Sequence, residues 1–301
     1  MLEPRFFGTL RFIPGGRDAR FPFSNSLVVN DEARVIVDPG AGSKCLAEEI
    51  ARGVDVLINT HTHGDHVRGN RHFNDAYFWA PRAEAHHYDG FLALGRALGV
   101  EEVYGPEENR LFADYCETGE MAMRRPVHLH ADVRWALSRR PDGFYEDGHV
   151  WEFGNTRIEA VHTPGHTGGM TSLYFPDEGV VFVADFDLTP FGPWYGQPES
   201  DIEAFLRSAE KLRSLDAEWF ITSHEYGYLP RVAFMNELER FLEVIEARER
   251  QIARWLHLTE AEILRKGVIY FSHIVERNAW MWMMGTIMLR KHVARLQASG
   301  G

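Results

Sequence analysis

The chain has 301 residues, 45% of them hydrophobic, which is enough for one large globular domain or a domain with an appendage. Its formal net charge is −12, with a pI near 5.7. An acidic surface repels phosphate backbones, so global charge disfavours nucleic acid as a partner. Two cysteines, Cys45 and Cys116, lie far apart and in no metal-type spacing; this argues against a disulfide framework and fits a reducing cytoplasm. Met1 to Arg5 shows no basic region leading into an apolar run, so no signal peptide is expected. The late apolar run from Ala279 to Leu289 contains Gly285 and Thr286. It is shorter than the roughly 20 residues of a membrane span, so no membrane partner is expected.

Residues 6–13 and 26–37 read as strands, the second pair turning at Asn30-Asp31-Glu32. Asp38-Pro39-Gly40 breaks the strand. Ser43 is expected to cap a short helix over 44–52, with Leu46 and Ile50 on one face. Val54 to Asn59 is an apolar, β-branched stretch that reads as a buried strand. It runs into Thr60-His61-Thr62-His63-Gly64-Asp65-His66. In extended backbone His61 and His63 point the same way, whereas Asp65 and His66 come after a glycine and can turn to a different point. The arrangement suits two neighbouring metals, and imidazole with carboxylate is a zinc donor set. The plainer reading, a polar turn with surface histidines, is disfavoured by the density of ligand-type side chains.

Residues 66–73 are expected to start a helix, 76–79 to form a strand, and 81–90 and 91–98 to be helical. The region 81–147 reads as an insertion able to cover a site. His86, His87, His128 and His130 within it are taken as surface or packed histidines rather than ligands. Asp147-Gly148 is a turn, and Thr156 to Val161 is a strand that runs into His162-Thr163-Pro164-Gly165-His166-Thr167-Gly168-Gly169. Pro164 and Gly165 forbid a helix there, so His162 and His166 are not an i, i+4 pair; the glycines let backbone approach a site closely. Strands at Thr171–Phe175 and Val180–Ala184 come next, and the second ends in Asp185-Phe186-Asp187. A carboxylate at the end of an apolar strand is costly to bury unpaired and wants a cation.

The aromatic loop beyond it, with Phe191, Trp194 and Tyr195, is either a substrate-pocket wall or a packing loop; Phe186, Phe191 and Trp194 are the pocket candidates. Ser200 or Asp201 caps a helix to about Ser214, and Glu218 to Thr222 is the last strand, ending in Ser223-His224-Glu225-Tyr226. Beyond Pro230 the spacing of Phe234, Leu238, Phe241, Leu242 and Ile245, then of Ile252, Leu256 and Ile263, is helical. The Met-rich run Trp280 to Met284 reads as buried core or as the interface of a homodimer, ahead of a cofactor contact.

One pattern recurs four times: a short apolar strand, then a ligand-type residue at its C-terminal end, where open α/β sheets keep their sites. His61-x-His63-x-Asp65-His66, Thr163-Pro164-Gly165-His166-Thr167, Asp185 and Ser223-His224-Glu225-Tyr226 resemble, in order and approximate spacing, the metallo-β-lactamase superfamily. The resemblance covers roughly residues 6–229. It implies an α/β fold, a four-layer αβ/βα sandwich spanning 1–229, with 230–301 as a helical extension. It further implies that His61, His63 and His166 hold a first metal, that Asp65, His66 and His224 hold a second, and that Asp185 bridges them. His162 and Asp187 would then be neighbours of the ligands.

The Thr-Pro-Gly-His-Thr-Gly-Gly and His-Glu-Tyr segments are most similar to the glyoxalase II group. The chain departs from that group at Phe186-Asp187 and in residues 227–232, where the basic substrate-binding residues are not evident. The resemblance thus implies a hydrolase with two Zn2+ per chain acting on a small-molecule ester, thioester or lactone. In it Asp65 orients the attacking hydroxide, and Tyr195 or Tyr226 donates to the developing oxyanion. Two alternatives stand beside it: an iron-dependent persulfide dioxygenase, which resembles the same motif set, and a catalytically silent metal-binding protein.

Overall fold

Two β-sheets, each with one face on the other and one face on helices, form the frame of the computed structural model, which describes residues 2–120 and 137–299. The first sheet runs in chain order through β1 (Arg5–Phe7), β2 (Leu10–Ile13), β3 (Ser26–Asn30), β4 (Arg34–Val37), β5 (Val56–Ile58), β6 (Tyr77–Pro81) and β7 (Gly143–Tyr145). β1 to β4 pair antiparallel, and β4 to β7 pair parallel. The second sheet holds β8 (Val150–Phe153), β9 (Thr156–His162), β10 (Thr171–Phe175), β11 (Val180–Phe182), β12 (Trp219–Ile221) and β13 (Tyr228–Pro230), in the order β13-β12-β11-β10-β9-β8. Only the β11–β12 pairing is parallel there, among the described residues. The helices are α1 (Ala47–Arg52), α2 (Gly64–Val67), α3 (Phe91–Ala97), α4 (Val100–Tyr104), α5 (Pro106–Thr118), α6 (Ile202–Ser214), α7 (Arg231–Ala253), α8 (Glu260–Arg265), α9 (Ser272–Val275) and α10 (Ala279–Ser299).

The layering comes from side-chain alternation in the strands. Leu27, Val29, Val35 and Val37 face inward and meet Leu173, Phe175, Phe182 and Ile221 of the second sheet. Val28 and Ile36, between them, face outward onto Leu46, Phe73 and Tyr88. On the far side, Val181, Val183 and Phe220 pack against Phe205 and Leu212 of α6 and Phe234, Leu238 and Phe241 of α7. The central strands are thus apolar on both faces, which explains why β3, β4 and β11 read as near-continuous hydrophobic runs.

Parallel registers then set the site. Val37 lies opposite Ile58, so Asp38 and Asn59–Thr60 leave their strands side by side. Phe182 lies opposite Ile221, so Asp185 and His224, each three residues further on, emerge at neighbouring points. The expected strand over 6–13 is a hairpin, because Gly8 adopts φ +60° and turns β1 onto β2. Ser43 does not cap α1: Leu46 occupies that position, and the Ser43 hydroxyl lies 3.1 Å from His72 Nε2. Helix starts earlier than residue 66, at Gly64, and 70–72 and 82–88 are 3₁₀ turns.

The chain beyond Pro230 begins inside the sandwich and then leaves it. The first half of α7 covers the second sheet, while Ile245 and Ile252 join a further core with α8 to α10, Tyr195 and Ile202. Met283 and Met284 of the Met-rich run are buried in a core shared with α3 to α5 and with Val67 beside the histidine motif. His128 and His130 lie outside the described residues. Cys45 is exposed and Cys116 buried, with no disulfide between them, and no helix among the described residues is long and apolar enough to cross a membrane.

Asp201 is the N-cap of α6, accepting from the Ala204 amide at 2.5 Å, and its own amide donates to Gly165 O in the His166 loop. Asp201→Ala keeps the backbone bond and removes the cap. It is expected to lower unfolding free energy by about 1 kcal/mol in urea denaturation, and an unchanged midpoint would show that the cap contributes nothing.

Candidate metal centre

Every ligand-type side chain enters from the C-terminal end of a strand. His61 and His63 follow β5, Asp65 and His66 sit in the single turn of α2, His166 follows β9, Asp185 follows β11 and His224 follows β12. All but His63 are buried, and His63 is half-buried. Asp185 is at the middle, with its two oxygens turned to different partners. Oδ2 is 3.1 Å from His166 Nε2 and 3.8 Å from His61 Nε2. Oδ1 is 2.9 Å from His66 Nε2 and 3.7 Å from His224 Nε2. His63 Nδ1 lies 2.8 Å from His166 Nε2, and Asp65 Oδ2 lies 3.3 Å from His224 Nε2. Two ligand groups result, His61–His63–His166–Asp185 and Asp65–His66–His224, each with its donor atoms within 4.8 Å of one another.

These residues fit metal ions on their own geometry. His61 Nε2 is buried with no hydrogen-bond partner, and His66 Nε2 and Asp185 Oδ1 meet only each other, at 2.9 Å. Such atoms are costly to leave unmade, and each is aimed into the cluster. An all-imidazole-and-carboxylate donor set suits zinc.

The charges are consistent with this. Burial pushes His61 well below the ordinary imidazole value, with His66 next in effect, and takes His63 down to about 3, helped by His166. Burial also opposes charge on His66, but Asp185 and Asp38 raise it well above its ordinary value. His224 is carried up to about 10 against burial, by Asp187, Asp185 and Asp65. Asp65 resists burial and is held at about 2 by the bond from His224 and the positive field of His66. His66 and His224 are thus the imidazoles that the surrounding carboxylates favour in the protonated form, and bound dications would take the place of those protons.

An outer layer orients the rings, the arrangement that tunes metal sites. Asp38 accepts from the Thr60 amide at 2.8 Å and its hydroxyl at 2.6 Å, and lies 2.9 Å from His66 Nδ1. Thr60 Oγ1 is 3.0 Å from His61 Nδ1. The Trp194 carbonyl accepts from His166 Nδ1 at 3.2 Å, and that of Ala19 from His224 Nδ1 at 2.6 Å. Glu84 is fully buried, accepting from the Thr62 amide at 2.7 Å and from the Thr167 hydroxyl. Asp38, Ala184 and Glu225 all have positive φ, from 43° to 51°, and the last two flank Asp185 and His224. Backbone held there costs roughly 1–3 kcal/mol per residue and persists only where its surroundings impose it. Gly165, at φ +134°, lets the His166 loop press on α6, since a Cβ would meet the Phe205 backbone at 2.4 Å.

The remaining candidates fall in different places. Trp194 is at the centre, its ring 5.4 Å from His63 and 5.0 Å from His166. Asp187 is half-buried beside Asp185 and His224; desolvation and then Asp185 push it up to about 7. Tyr195 is turned into the helical core instead, its hydroxyl 2.7 Å from His292 Nε2 and taking a bond from Arg248 at 2.9 Å. Phe186 is fully buried against Phe205, Phe191 stacks on Tyr270, and Tyr226 packs at the edge of the α6–α7 core, next to Glu237. His162 Nε2 donates to Gly168 O at 3.0 Å, bracing the His166 loop from behind, in none of the ligand groups. Sequence reading passed over Asp38, taken as a strand breaker, and Glu84. The signal for Asp38 was present: it too is a carboxylate at the end of a buried strand, the feature that singled out Asp185.

The metallo-beta-lactamase superfamily model matches residues 19–224. A hydroxyacylglutathione hydrolase of Methylococcus capsulatus is 28% identical over 198 residues, 64% of this chain and 58% of that protein. One from a Synechococcus strain is 27% identical over 222 residues, 72% of this chain and 68% of its own. Among solved structures, a metallo-beta-lactamase family protein of Thermus thermophilus superposes with a TM-score of 0.67 at 21% identity, covering 97% of this chain and 94% of that one. The chain belongs to the metallo-β-lactamase superfamily.

Two outcomes are expected. Asp38→Asn removes the anion behind His66 and should weaken metal affinity by about 10- to 100-fold, measured by competition with a chelator; unchanged affinity would leave Asp38 without that role. Because neighbouring carboxylates raise both His66 and His224, loading should release protons, and apparent affinity should rise with pH through the neutral range. Calorimetry in two buffers of different protonation enthalpy reads this, and identical heats would contradict it.

Proposed function

We propose that this superfamily member is a dinuclear zinc hydrolase that cleaves a small thioester, ester or lactone. The single observation that carries the reading is the division of Asp185, one oxygen toward His61 and His166 and the other toward His66 and His224. A carboxylate placed so would serve both ligand groups at once. Metal ions held by these residues would supply Lewis acidity, lowering the pKa of a bound water and polarising a substrate carbonyl. The chain's own residues do the rest. Asp65, a member of the second ligand group, would stay anionic beside the bound ions and so could accept a hydrogen bond from the attacking water and orient it. Asp38, Thr60 and the carbonyls of Trp194 and Ala19 fix the imidazoles so that their Nε2 atoms point inward. The Trp194 indole lies over His63 and His166 and gives one side of the site an apolar wall, suited to the acyl part of a substrate.

The named activity of the curated relatives supports thioester cleavage as the first chemistry to test. Arg231, the cation nearest to the His-Glu-Tyr segment in sequence, is committed to the backbone carbonyls of Leu215 and Arg213, so it is not presented to an anionic thiol carrier. A mononuclear iron oxygenase would need only two imidazoles and one carboxylate. The second group, Asp65–His66–His224, offers donors for the second ion that the dinuclear hydrolase reading uses.

His61→Ala should lower turnover of the best thioester or ester in a small panel by at least about a hundredfold, with far-UV circular dichroism unchanged. Chelation should do the same to the wild-type protein, and added zinc should reverse it. Full turnover by metal-depleted His61→Ala would refute the hydrolase mechanism.

A further inference from the structure

Away from this centre, a second mixed cluster stands on the surface side of the histidine motif. His86 and His87 are adjacent in the 3₁₀ turn Arg82–Tyr88, and their rings lie 4.4 Å apart. Glu199 reaches them from the loop that precedes α6. Its Oε1 shares a 2.6 Å hydrogen bond with His86 Nε2, and its Oε2 is 3.4 Å from His87 Nε2. The donor atoms of the three lie within 4.8 Å of one another. His87 is only 2% exposed. Its Nδ1 is taken by Thr62 Oγ1 at 2.6 Å, and its Nε2 is buried with no hydrogen-bond partner. The side chains of His86 and Glu199 are 47% and 38% exposed, so the cluster opens to water on one side.

A buried imidazole nitrogen that faces a carboxylate without a hydrogen bond calls for a cation between them. A proton serves if the pair is a plain salt bridge. The second imidazole changes the balance, because two imidazoles and a carboxylate converging on one point form a zinc donor set, with water able to fill a fourth position from the open side. We propose that His86, His87 and Glu199 form a peripheral zinc site that shares no ligand with the Asp185 centre.

Its position gives it a structural consequence. Thr62, which holds His87 Nδ1, sits between His61 and His63 in the chain, and its amide donates to Glu84. Glu84 in turn accepts from Thr167, the neighbour of His166. Zinc on His87 therefore clamps the outer side of both loops that carry the first ligand group.

The test uses the full chain, titrated with zinc against a chromophoric chelator, and compares wild type with His86→Ala and with Glu199→Gln. Both side chains face solvent, and neither belongs to the Asp185 centre. Each variant is expected to bind one zinc ion fewer per chain than wild type, and His61→Ala is expected to keep that ion. Equal stoichiometry in wild type and both variants would overturn the proposal and leave a salt bridge. Because the result is a difference, loss of metal from the Asp185 centre would lower all three totals together, and so a failure there is distinguishable from a failure here.

Discussion

A buried carboxylate shared between two sets of imidazoles is the constraint around which this molecule is arranged. Asp185 is 6% exposed and sits at the end of an apolar strand, where an unpaired charge is expensive. Its partners come from places far apart in the chain, so only a rigid scaffold can present them together. The two-sheet sandwich does this by register. Parallel pairing of β4 with β5 and of β11 with β12 brings the strand ends to one edge, and the residues just beyond those ends form the site.

The scaffold's contribution continues behind the ligands. Asp38, Thr60 and Glu84 are fully buried and spend their hydrogen bonds on the loops that carry His61, His66 and His166. The C-terminal helices take part too. Arg248 of α7, 4% exposed, donates to the carbonyls of Phe191 and Pro193 and to the Tyr195 hydroxyl. It thereby holds the loop whose Trp194 carbonyl receives His166 Nδ1. A tight turn of the aromatic loop, pinned by α7 and by the bond from Trp194 Nε1 to Tyr270, links the helical layer to the metal-binding face.

The ligand-type residues were legible in the sequence because their signals are local, and the sandwich followed from the family those motifs resemble. His61 to His66 are nearly contiguous, and His166, Asp185 and His224 each close a recognisable apolar strand. Asp38 was harder to see because Pro39 and Gly40 beside it already explained a break. Tyr195 and Phe186 were misleading for a different reason: an aromatic residue near a motif looks available, but its direction is decided by tertiary packing against His292, Arg248 and Phe205. The short strands β7, β8 and β13 carry three or four residues each, too few for a period to show. Ser43 likewise had the right chemistry for a cap, but the helix begins one turn later.

Anomalous diffraction at the zinc edge, from crystals of the protein purified without chelator, tests the shared-carboxylate centre most directly. Two peaks flanking Asp185 are predicted, one among His61, His63 and His166 and the other among Asp65, His66 and His224. A single iron peak bound by two of the histidines and Asp185, or no peak at either position after zinc is supplied, would contradict a dinuclear zinc centre.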